Sequence, residues 1–169
     1  LTSYPSKPEW SPDGKKIAYL HGSDHSMLWY ALQEVSIIDV QTGDIDFITQ
    51  GFDRNTSMPQ WSRDGQNIYF ILEDDMKSQL MKYSLLDNSS KEVTPNNMYL
   101  SGYSRSYFAI NNEIIFESST SKVPSEIYHL KEDQINAITS VNEQFIKNKL
   151  IGSTELISFQ SFDGLTING

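Results

Sequence analysis

The chain has 169 residues and no cysteine, and 13 basic against 22 acidic residues leave a net charge of −9. That sign disfavours nucleic-acid phosphates and anionic membrane surfaces as partners, and the missing cysteine excludes disulfides, thiolate zinc sites and a cysteine nucleophile. With 38% hydrophobic and 12% aromatic residues the chain has a globular, sheet-prone composition, and no apolar run reaches the roughly 18 residues of a membrane-crossing helix.

Taken in order, Leu1-Thr2 is an aliphatic-Thr pair that recurs as Ile48-Thr49, Val93-Thr94 and Ile138-Thr139, with the Thr residues 47, 45 and 45 positions apart. The pairs delimit three units, 3–49, 50–94 and 95–139, and Leu1-Thr2 closes a unit before them. The opening residues through Pro5 lack the pattern of a signal peptide. Pro8-Glu9-Trp10-Ser11-Pro12-Asp13-Gly14 returns as Pro59-Gln60-Trp61-Ser62-Arg63-Asp64-Gly65, the two Trp residues 51 positions apart. Trp10-Ser11 ends a first strand. Ser11–Gly14 is a turn in which Pro pre-sets φ and Gly takes the left-handed region. Strands follow at Lys16–Leu20, within Trp29–Val40 after the connection Gly22–Met27, and at Ile45–Thr49 after the turn Gln41–Asp44. The second unit repeats them at Ile68–Leu72, Gln79–Leu85 and Lys91–Thr94. In the third, Tyr107-Phe108-Ala109-Ile110 stands where Trp-Ser stood and Asn111-Asn112 replaces the Asp-Gly turn. Glu113–Ser118, Glu126–Leu130 and Gln134–Thr139 complete it. Asn142–Lys149 is the only helix candidate.

Four short strands in about 45 residues is the length of a propeller blade. The chain is predicted to be all-β: a partial β-propeller of about three four-stranded antiparallel blades within 1–141. Residues 142–169 are expected to form a linker and strand segment beyond the blades. The central strands Ile17–Leu20, Ile68–Leu72 and Ile114–Phe116 read as covered on both faces, with Trp10, Trp61 and Tyr107 filling space between blades. Strands such as Asp44–Thr49 alternate as an outer strand should.

The Pro-x-Trp-Ser-x-Asp-Gly-x-x-Ile copies resemble the blade repeat shared by TolB-type propellers and prolyl-oligopeptidase-family (S9) serine peptidases. Val123-Pro124-Ser125-Glu126-Ile127-Tyr128 resembles the S9 pattern of a proline followed by Glu-aliphatic-aromatic. Ile138–Asn142 resembles the exit from the last blade, and Glu155–Gly169 the first strands of the following hydrolase domain, with the acylaminoacyl-peptidase-like branch the nearest fit. The resemblance implies a non-catalytic propeller fragment that gates short peptides toward a Ser-Asp-His triad lying outside this chain. The alternative is a TolB-like propeller that binds protein partners.

Candidate chemistry within the chain is sparse. Gly102-Tyr103-Ser104-Arg105-Ser106 lacks the last Gly of a nucleophile elbow and reads as a connection between blades. His21 and His25 have no evident third ligand and read as loop histidines; His129 reads as structural. No metal or cofactor is expected. Asp13 and Asp64 are expected to accept backbone N–H groups in their turns. Asn55-Thr56-Ser57 and Asn88-Ser89-Ser90 match the glycosylation acceptor pattern and read as chance. Glu73, Asp74, Asp75 and Glu126 are the substrate-contact candidates, because a propeller carboxylate can anchor a peptide amino terminus; a solvated hairpin tip and a structural glutamate are the competing readings. Blade faces before Trp10 and after Ile138 are expected to drive self-association. The lack of cysteine and of a signal points to the cytoplasm.

Overall fold

Local chemistry sets the strand ends. In the computed structural model, which describes residues 7–22, 25–27, 30–100, 106–110 and 113–169, the two Asp-Gly turns are built alike. Asp13 Oδ1 accepts from Ser11 Oγ at 2.7 Å and Lys15 N at 3.1 Å. Asp64 Oδ1 accepts from Ser62 Oγ at 2.6 Å and Gln66 N at 3.0 Å. Gly14 and Gly65 take φ of 71° and 69°, a region a side chain would strain. Asp39 serves the next turn by accepting the N–H groups of Gln41 and Thr42.

These turns help define three antiparallel four-stranded sheets, each with its strands in sequence order. The first holds β1 (Glu9–Trp10), β2 (Lys16–Gly22), β3 (Gln33–Asp39) and β4 (Ile45–Phe47). The second holds β5 (Asn55–Trp61), β6 (Asn67–Asp74), β7 (Lys77–Ser84) and β8 (Ser89–Glu92). The third holds β9 (Tyr107–Ile110), β10 (Glu113–Ser118), β11 (Glu126–Lys131) and β12 (Gln134–Ala137). A single helical turn, α1 (Glu143–Ile146), and a separate hairpin of β13 (Ser158–Gln160) and β14 (Thr166–Asn168) follow. The blade architecture agrees with the predicted all-β propeller.

The aliphatic-Thr repeat has a specific job. Ile48 N–H donates to Val35 C=O, and Thr49 Oγ1 accepts Val35 N–H at 2.8 Å. Val93 and Thr94 do the same to Leu80, and Ile138 and Thr139 to Ile127. Each pair satisfies both backbone groups of one residue on the third strand at the point where the fourth strand leaves the ladder. Thr combines a branched body with an acceptor for this position; a buried N–H left unmatched is costly. Leu1-Thr2 lies outside the described residues.

The core sits between sheets. Ile68 and Phe70 of β6 pack back onto Ala18, Leu20, Val35 and Ile37 of the first blade. Tyr69 and Ile71, on the opposite face, pack forward onto Tyr107, Ile114 and Phe116 of the third. Each large apolar side chain so buried is worth about 1.5–3 kcal/mol. Among the described residues, only the middle blade is covered on both faces. In β10 the residues alternate, and Ile115 remains 36% exposed. In β2 Ala18 and Leu20 are buried while Ile17 and Tyr19 are half-buried. The expectation of three doubly covered central strands is therefore corrected: a blade with a neighbour on one side buries one side. For the same reason Trp10, expected between blades, is 58% exposed, whereas β4 and β8 are exposed along their whole length as outermost strands.

The register also corrects the third unit. Trp10 stands opposite Ile17 and Trp61 opposite Ile68, whereas Ala109 stands opposite Ile114. Ile114, like Ile68, faces the preceding blade, so Ala109 and not Tyr107 occupies the Trp position. Tyr107 does fill space between blades: it is fully buried, and its hydroxyl donates to Met58 C=O, which a bulge in β5 presents. The proposed Asn111-Asn112 turn lies outside the described residues.

Candidate functional site

Antiparallel pairing gives the sheets two distinct ends. The Ser-x-Asp-Gly turns mark one. The other carries the ends of β2, β6 and β10 and the starts of their partners. All four carboxylate candidates fall at this second end, but the structure does not bring them together.

Asp74 Oδ1 accepts from Arg54 Nε at 2.5 Å, a half-exposed ion pair that raises the guanidinium pKa. Asp75, at φ 51° in the two-residue loop between β6 and β7, accepts from Asn168 Nδ2 at 3.1 Å, so the β13–β14 hairpin touches this tip. Glu73 lies on β6 opposite Ser78 and Asn55. Glu126 opens β11 and is buried. Its carboxylate accepts from Thr139 Oγ1, from Val141 N at 3.1 Å, and from Asn142 N and Nδ2 at 2.8 and 3.1 Å. The Thr139 hydroxyl, then the Asn142 N–H, holds this carboxyl below its ordinary pKa. The arrangement staples the chain where it leaves the third blade; every donor to Glu126 comes from the exit segment.

The histidines divide. His129 Nε2 pairs with Glu113 at 2.7 Å, and Lys131 Nζ reaches the same carboxylate at 2.7 Å. His21 lies edge-on to Phe47 with 5.1 Å between ring centres. The His25 side chain and the stretch Gly102-Tyr103-Ser104-Arg105 lie outside the described residues. Among the described residues no group of three or more His, Asp or Glu could hold a metal ion.

The turn-marked end holds a cavity of about 350 Å³ that sequence reasoning missed. The first strands of all three blades contribute to it, with Trp10, Gln60, Trp61, Arg63, Ala109 and Ile110 among its walls. Trp61 Nε1 donates to Glu9 C=O at 2.9 Å, which seats its indole against the first blade. Gln60 braces the other side: its Nε2 donates to Tyr107 C=O at 2.9 Å and its Oε1 accepts Ala109 N–H at 3.2 Å.

No protein-family profile matches the chain. It is 27% identical over 130 residues to the probable dipeptidyl-peptidase 5 of Arthroderma benhamiae, covering 74% of this chain and 17% of that protein. It is 22% identical over 118 residues to dipeptidyl-peptidase 5 of Porphyromonas gingivalis, covering 68% and 16%. The chain thus spans about a sixth of the length of these curated relatives. Among solved structures, Pyrococcus horikoshii acylaminoacyl peptidase aligns with 92% of the chain and 23% of its own, at TM-score 0.74 and 18% identity. TolB of Acinetobacter baumannii aligns with 99% and 43%, at TM-score 0.59 and 18% identity. The propeller domain of the Pyrococcus furiosus trilobed protease aligns with 77% and 38%, at TM-score 0.61 and 15% identity. Blade geometry and these likenesses together show a β-propeller segment, similar in sequence to part of dipeptidyl-peptidase 5 and in fold to the propellers of acylaminoacyl peptidase and TolB.

Proposed function

We propose that the chain is the part of a peptidase propeller next to the catalytic domain, and that in the whole polypeptide it limits access to a serine active site so that short peptides are hydrolysed. The observation that carries this reading is the exit from the third blade. Glu126 staples residues 139–142, the chain then leaves the blade, and β13–β14 forms a hairpin of its own with Phe159, Leu165 and Ile167 exposed. Such an apolar hairpin needs further structure against it. The dipeptidyl-peptidase likeness supports a catalytic domain as that structure. The propeller segment supplies no chemistry; it positions the linker and restricts which substrates pass.

The test is turnover of dipeptidyl and N-acyl amide substrates by the whole polypeptide, with and without a serine-directed fluorophosphonate. Turnover abolished by the reagent is the expected result. No turnover of any such amide sinks the reading and favours a TolB-like, partner-binding propeller, which the alignment of 99% of the chain with TolB supports as the second reading.

The isolated chain is expected to self-associate. Trp10, Ile45 and Phe47 leave the first blade with an exposed apolar face, while the exposed face of the third mixes Phe108 and Ile115 with Glu113, His129 and Lys131. The apolar first-blade face is the stronger contact.

A further inference from the structure

We propose that two copies of this chain close head to tail into a six-bladed ring, the first blade of each packing on the third blade of the other. The repeat specifies what a junction needs. Leu20, Ile71 and Glu117 occupy one equivalent place in the three blades: each stands opposite the third-strand residue whose N–H a Thr accepts, Val35, Leu80 and Ile127. Inside the chain this pair receives a phenylalanine from the second strand of the next blade. Phe70 shares a buried cluster with Leu20 and Val35, and Phe116 shares one with Ile71 and Leu80.

One ring and one receiving pair remain, on opposite ends of the row. Tyr19 holds the place of Phe70, because Ile17 stands opposite Trp10 as Ile68 stands opposite Trp61. Of the three equivalent rings only Tyr19 carries a hydroxyl, and of the three equivalent receiving places only Glu117 carries a carboxylate. Tyr19 is half-buried on the open first-blade face, and Glu117 is exposed on the open third-blade face. A phenol donating to a carboxylate repeats the ring contact and adds a charge-assisted hydrogen bond. The surroundings suit burial. Ile17 repeats Ile68 and Ile114, the 58%-exposed Trp10 repeats Trp61, and Ile115 repeats Ala18 and Tyr69. Glu113 holds both His129 and Lys131 at 2.7 Å, so these charges enter the junction already paired. Only a first-blade face on a third-blade face reproduces the in-chain contact; two first-blade faces would set Tyr19 against Tyr19. Two rows of three sheets give six blades, within the roughly four to eight of closed propellers, and a head-to-tail contact that closes forms no filament.

The 169-residue chain is examined by sedimentation equilibrium. A species of twice 19.3 kDa that grows no further with concentration is expected. Trp10→Lys on one face and Ile115→Lys on the other each spoil both junctions of the ring and are expected to weaken dimerisation at least about tenfold. An equimolar mixture of the two variants keeps one unaltered junction and is expected to dimerise more tightly than either variant alone. Should a lysine perturb folding, Glu117→Leu serves instead: it leaves the Tyr19 hydroxyl unmatched and is expected to weaken dimerisation, and adding Tyr19→Phe is expected to restore it. Growth beyond the dimer, a lysine variant that dimerises like the unaltered chain, a mixture no tighter than its components, or no recovery in the double variant overturns the proposal. The ring does not rest on the peptidase reading: one is read as mass and the other as turnover, so each can fail alone.

Discussion

Thr94 is nearly fully buried, and its hydroxyl is the acceptor for Leu80 N–H at 3.0 Å. Thr94→Val keeps the shape and removes the acceptor, leaving a buried donor unmatched. It is expected to destabilise the chain by about 1–3 kcal/mol in urea unfolding, whereas Thr94→Ser, which keeps the hydroxyl, loses less. Acid acts through a different set of residues. The Ser11 hydroxyl lowers the pKa of Asp13, the Ser62 hydroxyl that of Asp64, Lys131 that of Glu113 and the Thr139 hydroxyl that of Glu126. Folded pKa values below the unfolded ones mean that these groups stabilise fully above the ordinary carboxylate range of about 4. The contribution is lost as pH falls through the lowered values. Thermal stability is therefore expected to be flat from neutrality to about pH 5 with respect to these groups and to fall below about pH 4. The roles of Asp13 and Asp64 were legible in the sequence because their partners lie within two residues. That of Glu126 was not, because its donors come from 13 to 16 residues further on, across a hairpin.

The burial of β6 sets it apart from the other second strands. Phe70 is fully buried against the first blade and tilts onto Phe52 with 6.0 Å between ring centres. Phe70→Ala is expected to cost about 3–5 kcal/mol, while Ile17→Ala on the half-buried face of β2 costs less. The hairpin joining β11 and β12 turns through Glu132 and Asp133, both at positive φ. A two-residue turn of that kind favours glycine, so Asp133→Gly is expected to raise stability by up to about 1 kcal/mol, read as a higher Tm. Strand positions were legible from alternation and from the Thr pairs, which occupy equivalent places in all three blades. The first strand of the third blade was misaligned by two residues, because aromatic Tyr107 resembles a Trp more than Ala109 does. Ring size misled where face and register decide. The cavity was not legible either, because its walls come from three strands that no local pattern connects.

Across the whole molecule, a blade's place in the row determines its exposure. The middle blade has apolar contacts on both faces, and each flanking blade leaves one face open among the described residues. The isolated chain is expected to show concentration-dependent mass in light scattering, and Phe47→Lys with Ile45→Lys is expected to shift it toward monomer. No change in that pair of variants would assign the association to another surface. The end of the sheets that carries Glu126 also carries the hairpin contact from Asn168 to Asp75, so the exit, the linker and the acidic tip share one face. If that face covers an active site, the polypeptide discriminates substrates by length and not only by terminal sequence. The most direct measurement is kcat/KM of the whole polypeptide for one cleavable terminus carried on peptides from a few residues to a few dozen. The account predicts a steep fall, more than about tenfold, as the peptides lengthen; equal kcat/KM across the series would contradict a propeller that restricts access.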